Sequence, residues 1–145
     1  MAQGNGAIYN VMKMNVFDAV YDVTADTLKM MLVVAYTPDI DAHLVKGTTG
    51  VDSTEVSDSS YTDGGETLST VTNTQDNTND RAALDAVDVT YTALDAGTPS
   101  HCILYDDTPT SPLDPLMSYW ELGTTASNGG DYILVFGANG FILQT

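Results

Sequence analysis

Thr27-Leu-Lys-Met-Met-Leu-Val-Val-Ala-Tyr36 is the stretch on which the fold turns. It begins as an alternation, with Leu28, Met30 and Leu32 apolar and Thr27 and Lys29 polar, and then becomes apolar on both faces. Period-two alternation marks a half-buried strand, and loss of the polar face marks a strand covered on both sides. These residues therefore predict a strand running into the middle of a sandwich. Thr37-Pro38-Asp39 ends it, because Pro38 has no N–H for a ladder and biases Thr37 toward extended backbone.

Further along, Thr67 to Gln75 alternates around Leu68 and Val71, Arg81 to Leu84 is a short candidate, and Val87 to Ala93 places Val87, Val89 and Tyr91 on one face. These predict half-exposed antiparallel strands. His101–Tyr105, Leu116–Leu122, Asp131–Phe136 and Phe141–Gln144 complete the set, and Asp76-Asn-Thr-Asn-Asp80 is a turn cluster. Ala138-Asn139-Gly140 puts an Asn-Gly pair between two apolar runs, which predicts a hairpin there. Composition agrees: the 145 residues include 20 Thr and 17 Asp, while Glu and Lys together number six. Helices favour Glu, Lys and Leu, whereas Thr, Val and Tyr suit a pleated surface and Asp, Asn and Gly suit its turns. The expectation is an all-β, antiparallel β-sandwich of jelly-roll type.

Two segments stand apart. Ile8 to Val23 spaces Ile8, Val11, Met12, Val16, Phe17, Val20 and Tyr21 close to a helical period, although its β-branched and Asn content weakens a helix. Residues 1–25 are thus expected to be an N-terminal segment, helical or irregular, available to pack on a neighbour. Gly47 to Glu66 is Gly, Thr, Ser and Asp with only Val51, Val56 and Tyr61 as apolar anchors. It reads as a long exposed loop or arm at about 47–66, of the kind that orders against a neighbouring subunit. Residues 26–145 form the single sandwich domain, and a chain of this length buries enough surface for one core without staples.

Four basic against 20 acidic side chains give a formal charge of −16. Phosphate backbones and anionic membranes repel such a chain, so neither nucleic acid nor membrane is an expected partner. The longest apolar stretch, Met30 to Tyr36, is far short of the roughly 20 residues of a membrane helix, and no basic lead precedes an apolar signal region. Cys102 is the only cysteine, which removes intrachain disulfides and cysteine-built zinc sites.

The candidate chemistry is sparse. Asp76, Thr78 and Asp80 alternate like the first ligands of a calcium loop, but Arg81 and Val87 stand where that loop needs Gly and Glu, so a solvated turn is the stronger reading, and Asp106-Asp107 is read the same way. His43 and His101 lie 58 positions apart, with Asp41 near one and Ser100 beside the other, and no motif supplies a nucleophile. Cys102 within an apolar strand reads as a buried thiol, with His101 on the opposite face. Gly4-Asn5-Gly6 and Asn128-Gly129-Gly130 are turns, since no Gly-Lys-Ser/Thr follows either. Tyr119 and Trp120 point to opposite sides of one strand, one of them into the core. No enzyme, metal site or cofactor is expected.

The order of short signatures resembles a family of small virion structural proteins of tailed bacteriophages. The residues that carry the resemblance are Asp26 to Val33 leading into Tyr36-Thr37-Pro38-Asp39, Asp41-Ala42-His43-Leu44, Tyr61 to Leu68, Asp76 to Ala82, Asp85 to Thr90, Leu104 to Thr108, Pro115 to Tyr119 and Ala138 to Leu143. The resemblance implies a capsid decoration or cement protein on the outer surface of the virion, bound to the major capsid protein and self-associated as a homotrimer. It equally allows a tail or head–tail junction component. A carbohydrate-binding β-sandwich module is the alternative from another class, although no clustered Trp-Tyr-Asp platform supports it.

Overall fold

In the computed structural model, which describes residues 6–108, 113–138 and 140–144, Leu28–Val33 of the quoted stretch becomes a strand with no exposed face. The elements in chain order are β1 (Gly6–Ile8), α1 (Asn10–Phe17), β2 (Leu28–Val33), β3 (Glu66–Thr67), β4 (Thr72–Asp76), β5 (Arg81–Asp85), β6 (Val89–Leu94), β7 (His101–Asp106), β8 (Leu116–Glu121), β9 (Gly130–Leu134) and β10 (Ile142–Gln144). All pairings are antiparallel. One sheet has the order β1-β8-β7-β2-β3, a second the order β10-β5-β4, and β6 pairs with β9. The chain is an all-β antiparallel sandwich, as its strand pattern predicts.

The five-stranded sheet carries a core on each face. Leu28, Met30 and Leu32 of β2, Cys102 and Leu104 of β7, and Met117 and Trp120 of β8 pack against Leu84, Tyr91, Leu94, Leu134, Phe141 and Ile142 from the two smaller sheets. On the other face Met31, Val33, Ile103, Tyr105 and Leu116 pack under Tyr9, Val11, Tyr36 and Val51. A bulge in β8 makes this possible. Leu104 lies opposite Ser118 while Tyr105 lies opposite Leu116, so Met117 is an extra residue and the alternation shifts by one. Leu116 therefore points to one core and Trp120 to the other, although strict alternation would put both on one face.

The second face is covered by segments with no ladder of their own, and one expectation is corrected here. Residues 47–66 are not an extended exposed arm. Val51 and Val56 are buried, Tyr61 stacks on Tyr91 with ring centroids 5.9 Å apart, and Val56 N–H donates to the Leu32 carbonyl at 3.0 Å. The low apolar content hid this, because three anchors and a buried carboxylate do the holding. The Glu55 side chain is nearly inaccessible. Its Oε1 accepts the Tyr61 hydroxyl (2.8 Å) and the Gly64 N–H (2.6 Å), and its Oε2 lies 3.2 Å from Lys46 Nζ, which also binds Asp52 at 2.6 Å. Burial alone would lower the Lys46 ammonium, but the bond to Asp52 and the charge of Glu55 outweigh it and hold that group above its ordinary value. The N-terminal segment also joins the large sheet. β1 pairs with β8, and Tyr9 is fully buried because its N–H reaches the Met117 carbonyl at 3.1 Å.

Gly64 and Gly65 then return the chain to the sheet edge with φ of +88° and +78°. A Cβ on Gly65 would stand 2.0 Å from the Met30 carbonyl oxygen, so only glycine lets β3 approach β2. Thr67–Gln75 is not one strand. Thr70 takes a φ of +54°, and the chain leaves the large sheet after Thr67 and enters the second sheet at Thr72. Val87 lies outside β6 and is exposed, so it does not share the buried face of Val89 and Tyr91. The hairpin expected at 138–140 does not form either: β9 pairs with β6 and β10 with β5, because Phe141 and Ile142 are drawn to the core beside Trp120. Asn139 itself lies outside the described residues.

Replacing Glu55 with Ala strands Lys46 without its buried partner and removes the acceptor for Tyr61 and Gly64. The expected cost is about 3 kcal/mol in chemical denaturation. Limited proteolysis, slow in the wild type, should then cut between residues 47 and 64.

Candidate interaction surface

α1 follows Tyr9 without a side-chain cap, and Met12 and Lys13 N–H groups close its first turn onto the Tyr9 carbonyl. Its helical period turns Val11, Met12 and Asn15 inward. Asn15 is held there by donating to the Tyr21 hydroxyl at 3.2 Å, and that hydroxyl in turn donates to the Leu116 carbonyl. Burial pushes the Tyr21 hydroxyl up to about 12, with the Asn15 bond opposing and Asp106 adding to the rise. The opposite arc is mixed: Asn10 and Lys13, bonded to each other at 2.9 Å, share it with apolar side chains. Phe17 is 90% exposed and Met14 57%. Beside the helix lies a mainly apolar pocket of about 170 Å³, walled by Met12, Val16, Tyr21, Val23, Ala82, Leu84 and Ile142, with Asn73 on its polar side. On its other flank a groove of about 380 Å³ runs along β1 under Trp120 and Phe141 and has Lys13 on its wall.

A charge signal accompanies this surface. Residues 1–17 contain no Asp or Glu, the longest such run in a chain of charge −16. Reading the apolar periodicity of 8–23 as a helix finds α1 but not which apolar residues stay outside. The absence of acid is the sequence feature that marks the surface.

The two histidines meet at one aromatic cluster. Tyr36 Oη lies 2.8 Å from His43 Nδ1 and also bonds the Tyr9 hydroxyl, while the His101 ring packs edge-on against Tyr36 with centroids 5.4 Å apart and lies 5.8 Å from Tyr119. The Asp39 N–H points at His43 Nδ1, which makes that nitrogen an acceptor and Tyr36 its donor. Burial lowers the His101 imidazole and Glu121 opposes the change. Ser100 Oγ is 3.0 Å from His101 Nδ1, but it already receives the Tyr36 N–H and donates to the Val33 carbonyl. It is a strand-end clamp and not an activated nucleophile. Asp41, expected near His43, instead accepts a bond from Asn10 and ties α1 to the covering segment.

The other singled-out residues are spent locally. Asp76 Oδ1 accepts the Thr78 and Asn79 N–H groups and Oδ2 binds Asn79 Nδ2 and Arg81 Nε at 2.7 and 2.9 Å, which closes the β4–β5 turn; these bonds, led by that to Asn79, lower its carboxyl. The Cys102 thiol is fully buried, and burial pushes it up to about 12, far from a reactive thiolate. Trp120 enters one core, and Tyr119 packs at the margin of the other. Gly6 lies in β1 against the Trp120 ring, while Gly4 and Asn5 fall outside the described residues. Gly129 turns the chain into β9 with its N–H on the Leu94 carbonyl. Among the described residues no group of three or more His, Cys, Asp or Glu is placed to hold a metal ion, and no helix is long and apolar enough to cross a membrane.

Asp106, which its neighbours in sequence predict to lie in a solvated turn, is completely buried. Its Oδ1 accepts the Thr108 N–H at 2.9 Å, its other oxygen has no ordinary donor among the described residues, and the Asp26 carboxyl is close enough to act on it. Burial first, and then the charge of Asp26, push Asp106 up to about 6, against the lowering pull of Thr108. Comparison of the chain with protein-family models, with curated protein sequences and with solved structures finds no match in any of the three.

An acid whose folded value is raised from 3.8 to about 6 favours the fold below pH 4 and withdraws that contribution as pH rises through 6. Asp106→Asn keeps the Thr108 acceptor and offers Asp26 an amide donor at every pH. It should raise stability at pH 7.5 by about 2 kcal/mol and leave it unchanged near pH 4, as read from urea denaturation at the two pH values.

Proposed function

We propose that this chain is a non-enzymatic structural protein of a tailed-bacteriophage virion, a cement protein that binds the outside of the major capsid shell as a homotrimer and stabilises it. The observation that carries the reading is the collinear order of signatures from Asp26 to Leu143, each short and together spanning the sandwich. The fold gives it mechanical sense. A sheet packed on both faces, with its long connection pinned by Glu55 and Lys46, is a stiff block that keeps its shape under load. A cement protein works by burying surface across capsomer boundaries, so its binding free energy is added only to the assembled shell and opposes the pressure of packaged DNA. The −16 charge suits a protein on the outside of such a shell, kept from the nucleic acid within. Three-fold closed symmetry repeats one contact without open ends.

Quantitative mass spectrometry of purified particles gives the ratio of this chain to the major capsid protein. A ratio near one, or a simple large fraction of one, is expected. A few per cent would place the chain at the tail or the head–tail junction, and absence from particles would favour a carbohydrate-binding module, to be followed on a glycan array.

A further inference from the structure

We infer that the outer face of α1 is a self-association surface, on which Phe17 of one copy enters the apolar pocket beside α1 of the next. A phenylalanine ring at 90% exposure has no role within its own fold. Met14 and Val16 are exposed on the same helix, with Asn10 and Lys13 between them, and the helix carries no acid and one cation. The pocket next to it holds about 170 Å³, and cavities of about 150 Å³ accept a benzene ring. Val16 walls the pocket and Phe17 is the next residue, so knob and socket belong to one patch.

A second copy is the occupant whose chemistry is known. It brings the aromatic knob that the socket fits, and it receives a knob in return wherever the patch lies near a symmetry axis. In a closed two-fold or three-fold assembly every copy then gives one ring and takes one, with no unsatisfied end. Charge selects the same face. Two copies at −16 each repel over most of their surfaces, and α1 is the helix on which apolar contact meets no acid from its own residues. Asp18 stands at its C-terminal end, and Asp41 is bonded to Asn10 at its start, so the patch is framed by acids that would oppose a displaced docking. The inference is independent of the virion reading.

Sedimentation equilibrium of the full-length protein over a range of concentrations tests it, with Phe17→Asp as the variant and Val87→Asp as control, since Val87 is an exposed apolar residue elsewhere. The expected result is a concentration-dependent oligomer that tightens with added salt, because salt screens the net repulsion and leaves apolar contact in place. Phe17→Asp should weaken association by about 30-fold or more, the loss typical of a buried aromatic anchor, while Val87→Asp leaves it unchanged, and at a concentration low enough for every form to be monomeric both variants keep the wild-type melting transition. A monomer at all concentrations, an oligomer indifferent to Phe17→Asp, or association that weakens with salt would overturn the inference. A monomeric wild type whose binding to purified phage shells is lost in Phe17→Asp would also overturn it, and would assign the patch to a shell protein instead.

Discussion

Met31, Val33, Ile103, Tyr105 and Leu116 give the large sheet a second apolar face, and that face has no partner sheet to cover it. Leaving five such side chains in water would forfeit roughly 1.5–3 kcal/mol for each of the larger ones, so some other part of the chain must lie across them. The covering pieces are Tyr9 and Val11 from the N-terminal segment and Tyr36 and Val51 from the connection after β2. Irregular backbone over a core brings polar groups with it, and these must find partners or cost free energy. The dense bonding of the connection meets that requirement. Val34 N–H reaches the Thr54 carbonyl, Glu55 takes up a hydroxyl and an amide, and the Tyr105 hydroxyl donates to the Gly64 carbonyl at 2.8 Å.

What the sequence discloses and what it hides follow the same division. β2 is legible because its pattern is local: alternation that turns into two apolar faces implies two covers, whatever they are made of. β5, β7 and β8 are legible for similar reasons. The covering connection is not, because its hold rests on one buried carboxylate and three spaced apolar residues within a polar run, and composition weighs the run instead of the anchors. The Asn-Gly signal at 139–140 misleads in the opposite sense. It describes a turn that the backbone can make locally, but strand pairing is decided by burial of Phe141 and Ile142 beside Trp120 and Leu84.

The polar groups singled out from sequence fared according to their surroundings. Asp76 sits in a turn where backbone N–H groups converge on it, as Asp in turns does, and the motif around it foretold that. Asp106 follows the same residue type at the end of a strand, yet it is sealed by Asp26, Thr108 and the β8 approach. No one-dimensional pattern distinguishes the two, since the burial comes from Asp26, eighty positions away. His43 and His101 show the reverse. Their separation in sequence gave no reason to join them, and Tyr36, which both touch, is the residue that does so.

The pairings of the large sheet also order the events of folding. Gly6 lies opposite Trp120, and Leu28 lies opposite Asp106. β1 therefore has no partner until β8 has been made, and the doubly covered β2 waits for β7. At about 5–20 residues per second, the emerging chain holds Met30 to Val34 exposed for several seconds before β7 arrives. Such non-local sheets fold slowly and present sticky intermediates. Asp18, Asp22 and Asp26 before β2 and Asp39 and Asp41 after it set negative charge on both sides of that exposed stretch and keep nascent copies apart, so the charge that shapes the finished surface also protects the unfinished strand.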